Sequence, residues 1–334
     1  MMWRQMLRNP AGSFLINVLA AMACMPVAGW AQKADVYPSR PVTIVHPYPP
    51  GGSTDPEVRL YAQKLNENLG VPFLVDARPG AGTTIGTAAV SKAAPDGYTL
   101  VTLSPSFTIA PLIYRNLPYD AEKDIAPVSL MSKRASLVMV HAGLPIRTVP
   151  EYVAYVKANP GKFNFGTSSV GGVTHLGVVW FLNATNTNVD IVPYKGGGPM
   201  YVDLTAGRVH AAIVAAITGV PFMKSGKLRA IAVTSTERMK ILPDIPTAAE
   251  QGATGYDYSF WIGFGAPGGT PAVIVNRMSS ELVKVSKDPL ITQKLASEAN
   301  NSVGSTPEQF RQHISAEISR WRKVVADTGI KLEE

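Results

Sequence analysis

Val42-Thr43-Ile44-Val45 is a short run of β-branched, apolar residues. It leads into Pro49-Pro50-Gly51-Gly52-Ser53-Thr54-Asp55, then a helical pattern from Pro56 to about Asn68. A continuous apolar run bounded by turn residues reads as a buried strand. Asp55 before Pro56 reads as a helix N-cap, with proline at the first helical position and Glu57 in the first turn. The glycine-rich loop between them carries no bulky side chain. Its amides are expected to point freely at a ligand, and the helix N-terminus favours an anion. An ordinary strand-to-helix connection has the same grammar, so this loop alone leaves both readings open.

The pattern recurs outward from there. Phe73-Leu74-Val75 leads through Arg78-Pro79-Gly80-Ala81-Gly82 into a helix around Ile85 to Ala93, and Tyr98 to Leu103 is a third strand. Leu137 to Val140, Phe163 to Phe165, Ile191-Val192, Ala211 to Val214 and Ala230 to Val233 also read as strands, several separated by helical stretches. Apolar strands alternating with helices predict an α/β chain with mainly parallel sheets flanked by helices. The C-terminal stretch is helical over Pro271 to Lys287. It is helical again after Thr306-Pro307-Glu308-Gln309, where threonine caps and Phe310, Ile314, Ile318, Trp321 and Val324 recur at helical spacing.

A chain of 334 residues suggests about two domains. Its 46% apolar content excludes a disordered protein, and 29 glycines with 27 prolines fit tight connections between short elements. No Ser/Gly tract or charge run interrupts residues 120 to 270. A second domain inserted in the first explains this, with the chain crossing twice, near Ser132 to Ser136 and Asp257 to Phe260. The expected form is a two-lobed clamshell: residues 32–134 and 258–334 in lobe 1, residues 135–257 in lobe 2.

The N-terminus reads as an export signal. Arg4 and Arg8 precede an apolar stretch from Phe14 to Met25, too short to span a bilayer, and Gly29-Trp30-Ala31 sets a cut before Gln32. A soluble periplasmic protein is expected. Cys24, the only cysteine, falls within the removed segment, so no disulfide or thiol chemistry is expected; an acylated Cys24 is the alternative. Processing lowers the net charge of +7 by two, leaving a modest positive field suited to small anions. The densest basic cluster, Arg320-Trp321-Arg322-Lys323, lies on a helical pattern and no nucleic-acid module is present.

A second loop matches the first. Phe163-Asn164-Phe165 is followed by Gly166-Thr167-Ser168-Ser169-Val170-Gly171-Gly172-Val173-Thr174-His175, then the apolar helix Leu176 to Leu182. Two hydroxyl-and-glycine loops, one per lobe, can face each other across a cleft and bind carboxylate oxygens. In Val192-Pro193-Tyr194-Lys195-Gly196-Gly197-Gly198-Pro199, Lys195 offers countercharge, and Asp203 a bond to loop amides or water. Enzyme signatures are thin. Gly80 to Ile85 lacks the third glycine of a dinucleotide fingerprint, and Gly166 to Val170 fails as a nucleophile elbow. The histidines at 46, 141, 175, 210 and 313 show no metal-ligand spacing. No cofactor is expected.

Tyr37-Pro38-Ser39-Arg40-Pro41, Pro49 to Asp55, Arg78 to Gly82, Pro95-Asp96-Gly97-Tyr98-Thr99-Leu100, Leu117-Pro118-Tyr119-Asp120, Val192 to Gly196, Leu228 to Thr234 and Leu242 to Thr247 stand in order. In these motifs, spread over essentially the whole exported chain, the sequence resembles the Bug-type extracytoplasmic solute receptors of tripartite tricarboxylate transporters. The resemblance implies a Venus-flytrap periplasmic binding protein that delivers an organic acid to a membrane permease, gripping it through main-chain groups and waters. Carried over, the site comprises Tyr48, Gly52, Ser53, Thr54 and Asp55, then Thr167, Ser168, Ser169, Gly172 and His175, with Gly82, Thr83, Ser104 and Ser106 in support. His46 stands where the family more often has valine, Pro56-Glu57-Val58-Arg59 departs from the usual alanine before the arginine, and Gly171-Gly172 falls in a variable loop.

A secreted hydrolase using Ser168 or Ser169 with His175, and a sensor without transport, are the rival functions. A monomer is expected. Tyr48, Phe107 and Trp261 suit either an aromatic-acid pocket or the core.

Overall fold

The computed structural model describes residues 37–328 apart from Ser53 and residues 169–172; the unit considered below begins at Pro38. The predicted signal segment, Ser53, Ser169 and Gly172 lie outside the described residues. β1 (Val42–His46) pairs in parallel with β2 (Phe73–Ala77) and β3 (Thr99–Leu103). Between them come α1 (Asp55–Leu69), a single 3-10 turn (Ala81–Thr83) and α2 (Thr84–Ser91), and α3 (Pro105–Ile113) follows β3. Val42, Ile44, Leu100 and Val101 are buried because helices cover both faces of these strands.

The crossing between sheets happens inside one strand. β4 (Ile125–His141) pairs antiparallel with β9 (Ser259–Pro267) from Ile125↔Pro267 to Ala135↔Ser259. At Ser136↔Ala215 it begins to pair with β7 (Ala211–Ala215). β9 also joins β3, while β10 (Asn300–Ser302) pairs with β4. In the second sheet, β8 (Leu228–Val233) also lies along β4, and β5 (Asn164–Thr167) runs parallel to β7 and to β6 (Asp190–Pro193). Each sheet is thus parallel where the loop-bearing strands lie and antiparallel where the crossing strands run. The return crossing is bonded to the first: Thr234 donates its amide to the Ser136 carbonyl at 2.9 Å, and Tyr258 donates to Thr234 at 2.8 Å.

The sequence pattern revealed only Leu137 to Val140 of the 17-residue β4. Ser129, Ser132 and Ser136 interrupt its apolar pattern but are buried with partners. Ser129 donates to the Ser305 carbonyl at 2.8 Å, a residue 176 positions away. Such bonds satisfy polar groups inside a sheet and are invisible to local patterning.

α5 (Val173–Ala184) and α10 (Pro307–Thr328) link the two sheets. Phe310, Ile314 and Ile318 of α10 pack with Val45, Leu103 and Trp261, whereas Trp321 and Val324 pack with Phe165, Leu176 and Tyr256. The Trp180 and Trp321 rings meet edge-on at 5.6 Å. The Thr306 hydroxyl accepts the Gln309 amide at 3.2 Å while the Gln309 side chain accepts that of Thr306 at 2.9 Å, a reciprocal cap. Gly177 is required for the close approach of α5, since a Cβ there would lie 2.7 Å from the Tyr258 ring. Among the described residues no helix is long and apolar enough to cross a membrane.

Candidate functional site

The β1–α1 loop is organised by its own side chains. Thr54, not Asp55, occupies the N-cap position, and Asp55 is the first helical residue. The Asp55 carboxylate instead reaches back to accept the Gly51 amide at 3.0 Å and the Arg59 Nε at 3.0 Å. That Arg59 bond, reinforced by the Gly51 amide, holds the Asp55 carboxyl below its ordinary range. The Gly52 amide donates to the Pro49 carbonyl at 3.2 Å. The two glycine amides expected to point freely at a ligand are therefore engaged within the loop. Proline at 56 removes a donor from the first turn, so the carboxylate closes the loop instead.

His46 and Thr54 fix the loop from beneath. The His46 ring is buried between the Thr102 hydroxyl at 2.8 Å and the Thr54 hydroxyl at 3.1 Å. Burial lowers its proton affinity below that of an ordinary histidine. In the sequence His46 is a departure from the family's usual valine and one of five dispersed histidines. Its position, ending β1 directly before the loop, was the available signal.

Tyr48 meets the start of α3. Its hydroxyl lies 2.6 Å from the Ser104 hydroxyl and 3.3 Å from that of Ser106. Burial raises the phenol's pKa in spite of these bonds. Thr83, on the turn before α2, has φ +87°, which a β-branched residue rarely adopts. Its side-chain oxygen is buried with no hydrogen-bond partner among the described residues. Gly82 sits at φ +60°, and a Cβ there would lie 2.8 Å from the Tyr114 hydroxyl.

In the second sheet, β5 ends at Thr167, whose hydroxyl lies 3.3 Å from that of Thr174, and the Ser168 hydroxyl lies 3.0 Å from the same group. The segment after β6 is stitched alongside. Tyr194 donates its amide to the Thr167 carbonyl at 2.8 Å and Gly196 donates to Ser168 at 3.0 Å. Asp203, on α6 (Gly197–Thr205), accepts the Tyr194 hydroxyl at 2.8 Å and the Arg208 guanidinium at 2.5 Å. The Asp203 carboxylate thus braces Tyr194; the bond to loop amides is not what it makes. Lys195 is exposed. His175 lines a surface groove with Val179, Leu182 and Asn183, the outward stripe of α5.

The helices that follow two of these loops share one core cluster, with Ile109 of α3 and Leu176 and Val178 of α5 among its members. Phe107 stacks on Tyr119 in the core, and Trp261 is buried against Phe310, so both belong to packing. In the sequence Glu57 is a first-turn acid within the segment that departs from the usual alanine before the arginine. It is buried, accepts the Tyr61 hydroxyl at 2.9 Å, the Ser132 hydroxyl, and the Asn300 amide at 3.1 Å, and lies 3.6 Å from Arg134. Burial raises its pKa. This network ties α1, and hence the first loop, to β4 and β10 beside the crossing. Among the described residues no group of three or more metal-ligating side chains is gathered.

The sequence profile of the tripartite tricarboxylate transporter family receptors, TctC, matches residues 58–330. Protein BugT of Bordetella pertussis (strain Tohama I) is 36% identical over 303 residues, covering 90% of this chain and 93% of that protein. Among solved structures, R. palustris Rpa4515 with adipate is 35% identical, with a TM-score of 0.75 over 88% of this chain and 99% of that one. MatC (Rpa3494) from Rhodopseudomonas palustris with bound malate is 29% identical, with a TM-score of 0.71 over 86% of this chain and 100% of that one.

Proposed function

The chain belongs to the tripartite tricarboxylate transporter receptor family, periplasmic carboxylate-binding receptors of two-lobed form, and we propose that its ligand is a small dicarboxylate held between the two loop systems. The observation that carries this reading is Thr83. A buried hydroxyl without a partner costs free energy, and a β-branched residue at φ +87° adds strain. Both are explained if a ligand oxygen completes the Thr83 side chain. The Tyr48, Ser104 and Ser106 hydroxyls supply neighbouring donors, and Thr167, Ser168 and Thr174 supply them from the second sheet. The adipate and malate carried by two similar receptors support the dicarboxylate class.

Ligand would then stabilise the closed clamshell, because only there can both loops reach it. Each charge-assisted hydrogen bond is worth roughly 1.5–3 kcal/mol, so a few give micromolar affinity. Export by removal of residues 1–31, lobes divided at residues 134/135 and 257/258, action as a monomer and delivery to a membrane permease belong to the same proposal. Capture without turnover is favoured because the Ser168 hydroxyl is paired with Thr174 and His175 lines an outer groove. Calorimetry with adipate and malate tests the ligand class. Thr83→Val should weaken binding about tenfold; equal affinity in that variant would contradict the role given to Thr83.

A further inference from the structure

We infer that the cleft ligand is taken up together with a proton, which His46 holds beneath the first loop. This rests on the carboxylate reading of the cleft and adds to it the charge state in which the ligand is held. Three observations carry it. His46 ends β1, and its ring is buried with both nitrogens engaged by hydroxyls: Nδ1 lies 2.8 Å from Thr102 Oγ1 and Nε2 lies 3.1 Å from Thr54 Oγ1. Thr54 occupies the N-cap position of α1, yet its hydroxyl caps no amide and faces the ring instead. In the same loop, Asp55 Oδ1 is buried with no hydrogen-bond partner among the described residues.

A hydroxyl both donates and accepts, so two threonines satisfy this ring in either charge state. The neutral imidazole accepts a hydrogen bond from one and donates to the other. The imidazolium donates to both, and each hydroxyl hydrogen then turns to another acceptor. Protonation thus releases the Thr54 hydrogen in a loop where Asp55 Oδ1 lacks a donor. The charges around the ring are balanced. On α1, Asp55 favours the proton and Arg59 opposes it, and these two pair at 3.0 Å. At the end of β2, Asp76 and Arg78 pair at 2.7 Å, and farther along α1 Glu57 faces Arg134. β3 presents the uncharged Thr102, and the loop presents Tyr48, whose ring lies 5.3 Å away and whose burial keeps the phenol protonated. Burial therefore decides for the neutral ring in the free receptor. A carboxylate bound at the Tyr48, Ser104 and Ser106 hydroxyls adds uncompensated negative charge close to the ring and favours its protonated form. His46 is a positioning residue, acting on the loop through Thr54. Proton and ligand strengthen each other's binding by the same factor.

Two measurements with adipate test this. In an NMR pH titration of the histidine-labelled chain, the His46 pKa should be higher with saturating adipate than without. In calorimetry between pH 8 and 6.5, where both adipate carboxylates are ionised, affinity should be roughly threefold or more tighter at the lower pH. The heat should also differ between buffers of unlike ionisation enthalpy, in the sense of proton uptake. His46→Asn should lose both the pH dependence and the buffer dependence. The NMR titration needs no variant, so it decides the matter even where that substitution unfolds the chain. An unchanged His46 pKa in a chain that binds adipate would overturn the proton coupling and leave the carboxylate reading standing. No heat with adipate or malate at either pH would overturn both.

Discussion

The Asp55 carboxylate accepts the Gly51 amide four residues before it, and this bond determines which groups of the first loop remain for a ligand. With the Gly51 and Gly52 amides engaged, the loop presents a shape held by Asp55, Arg59 and the buried His46. In the proposed site the grip falls to the hydroxyls of Thr83, Tyr48, Ser104 and Ser106.

Asp55→Asn keeps the volume but weakens both charge-assisted bonds. Because Asp55 titrates below its ordinary value in the fold, its contribution is present above the unfolded carboxyl pKa and lost as pH falls through the folded one. The variant should lose roughly 1–2 kcal/mol at pH 7, a loss that shrinks toward pH 3. Denaturant melts at the two pH values check this.

Thr83→Gly relieves the left-handed backbone and removes the orphaned hydroxyl together. The unliganded protein should melt higher, by roughly 1 kcal/mol of added stability, yet the increase in Tm caused by ligand should diminish. A variant that lost stability without ligand would show that Thr83 is held by packing alone.

Tyr48→Phe leaves the buried Ser104 hydroxyl without its phenol partner. Affinity should fall about tenfold while the fold survives, because the ring still packs beside His46 at 5.3 Å. Calorimetry and circular dichroism together separate the two effects.

Acid should loosen the packing around α10. His313 meets Trp261 edge-on and stacks on Phe310, and burial, with Lys133 and Arg320 adding, pushes its pKa down to about 3. A histidine depressed in the fold takes its proton more readily when unfolded. Stability is therefore full above pH ~6.5 and declines as pH falls from there toward the folded value. His46 and His210 add in the same direction. His313→Leu should flatten the fall in Tm between pH 6.5 and 4, measured beside the parent chain.

The strand–loop–helix units were legible because their signals are local: apolar runs, then Gly/Pro, then helical spacing. The helix expected from Pro56 to about Asn68 forms over Asp55–Leu69, and the threonine expected to cap α10 does so. The crossing strand was only half legible, since Ser129 gains its partner from a residue far along the chain. The site was legible as a set of loops but not as a set of bonds. Nothing local says that Asp55 takes the Gly51 amide, that Asp203 holds Tyr194, or that Thr83 adopts a positive φ. The Glu57–Arg134 network joins elements 77 positions apart and has no local signal either.

The most direct test of the central claim is titration calorimetry with dicarboxylates, each paired with its neutral diamide. The account predicts micromolar binding of at least one diacid and none of its diamide. Equal binding of the diamide, or heat from no carboxylate at all, would contradict it.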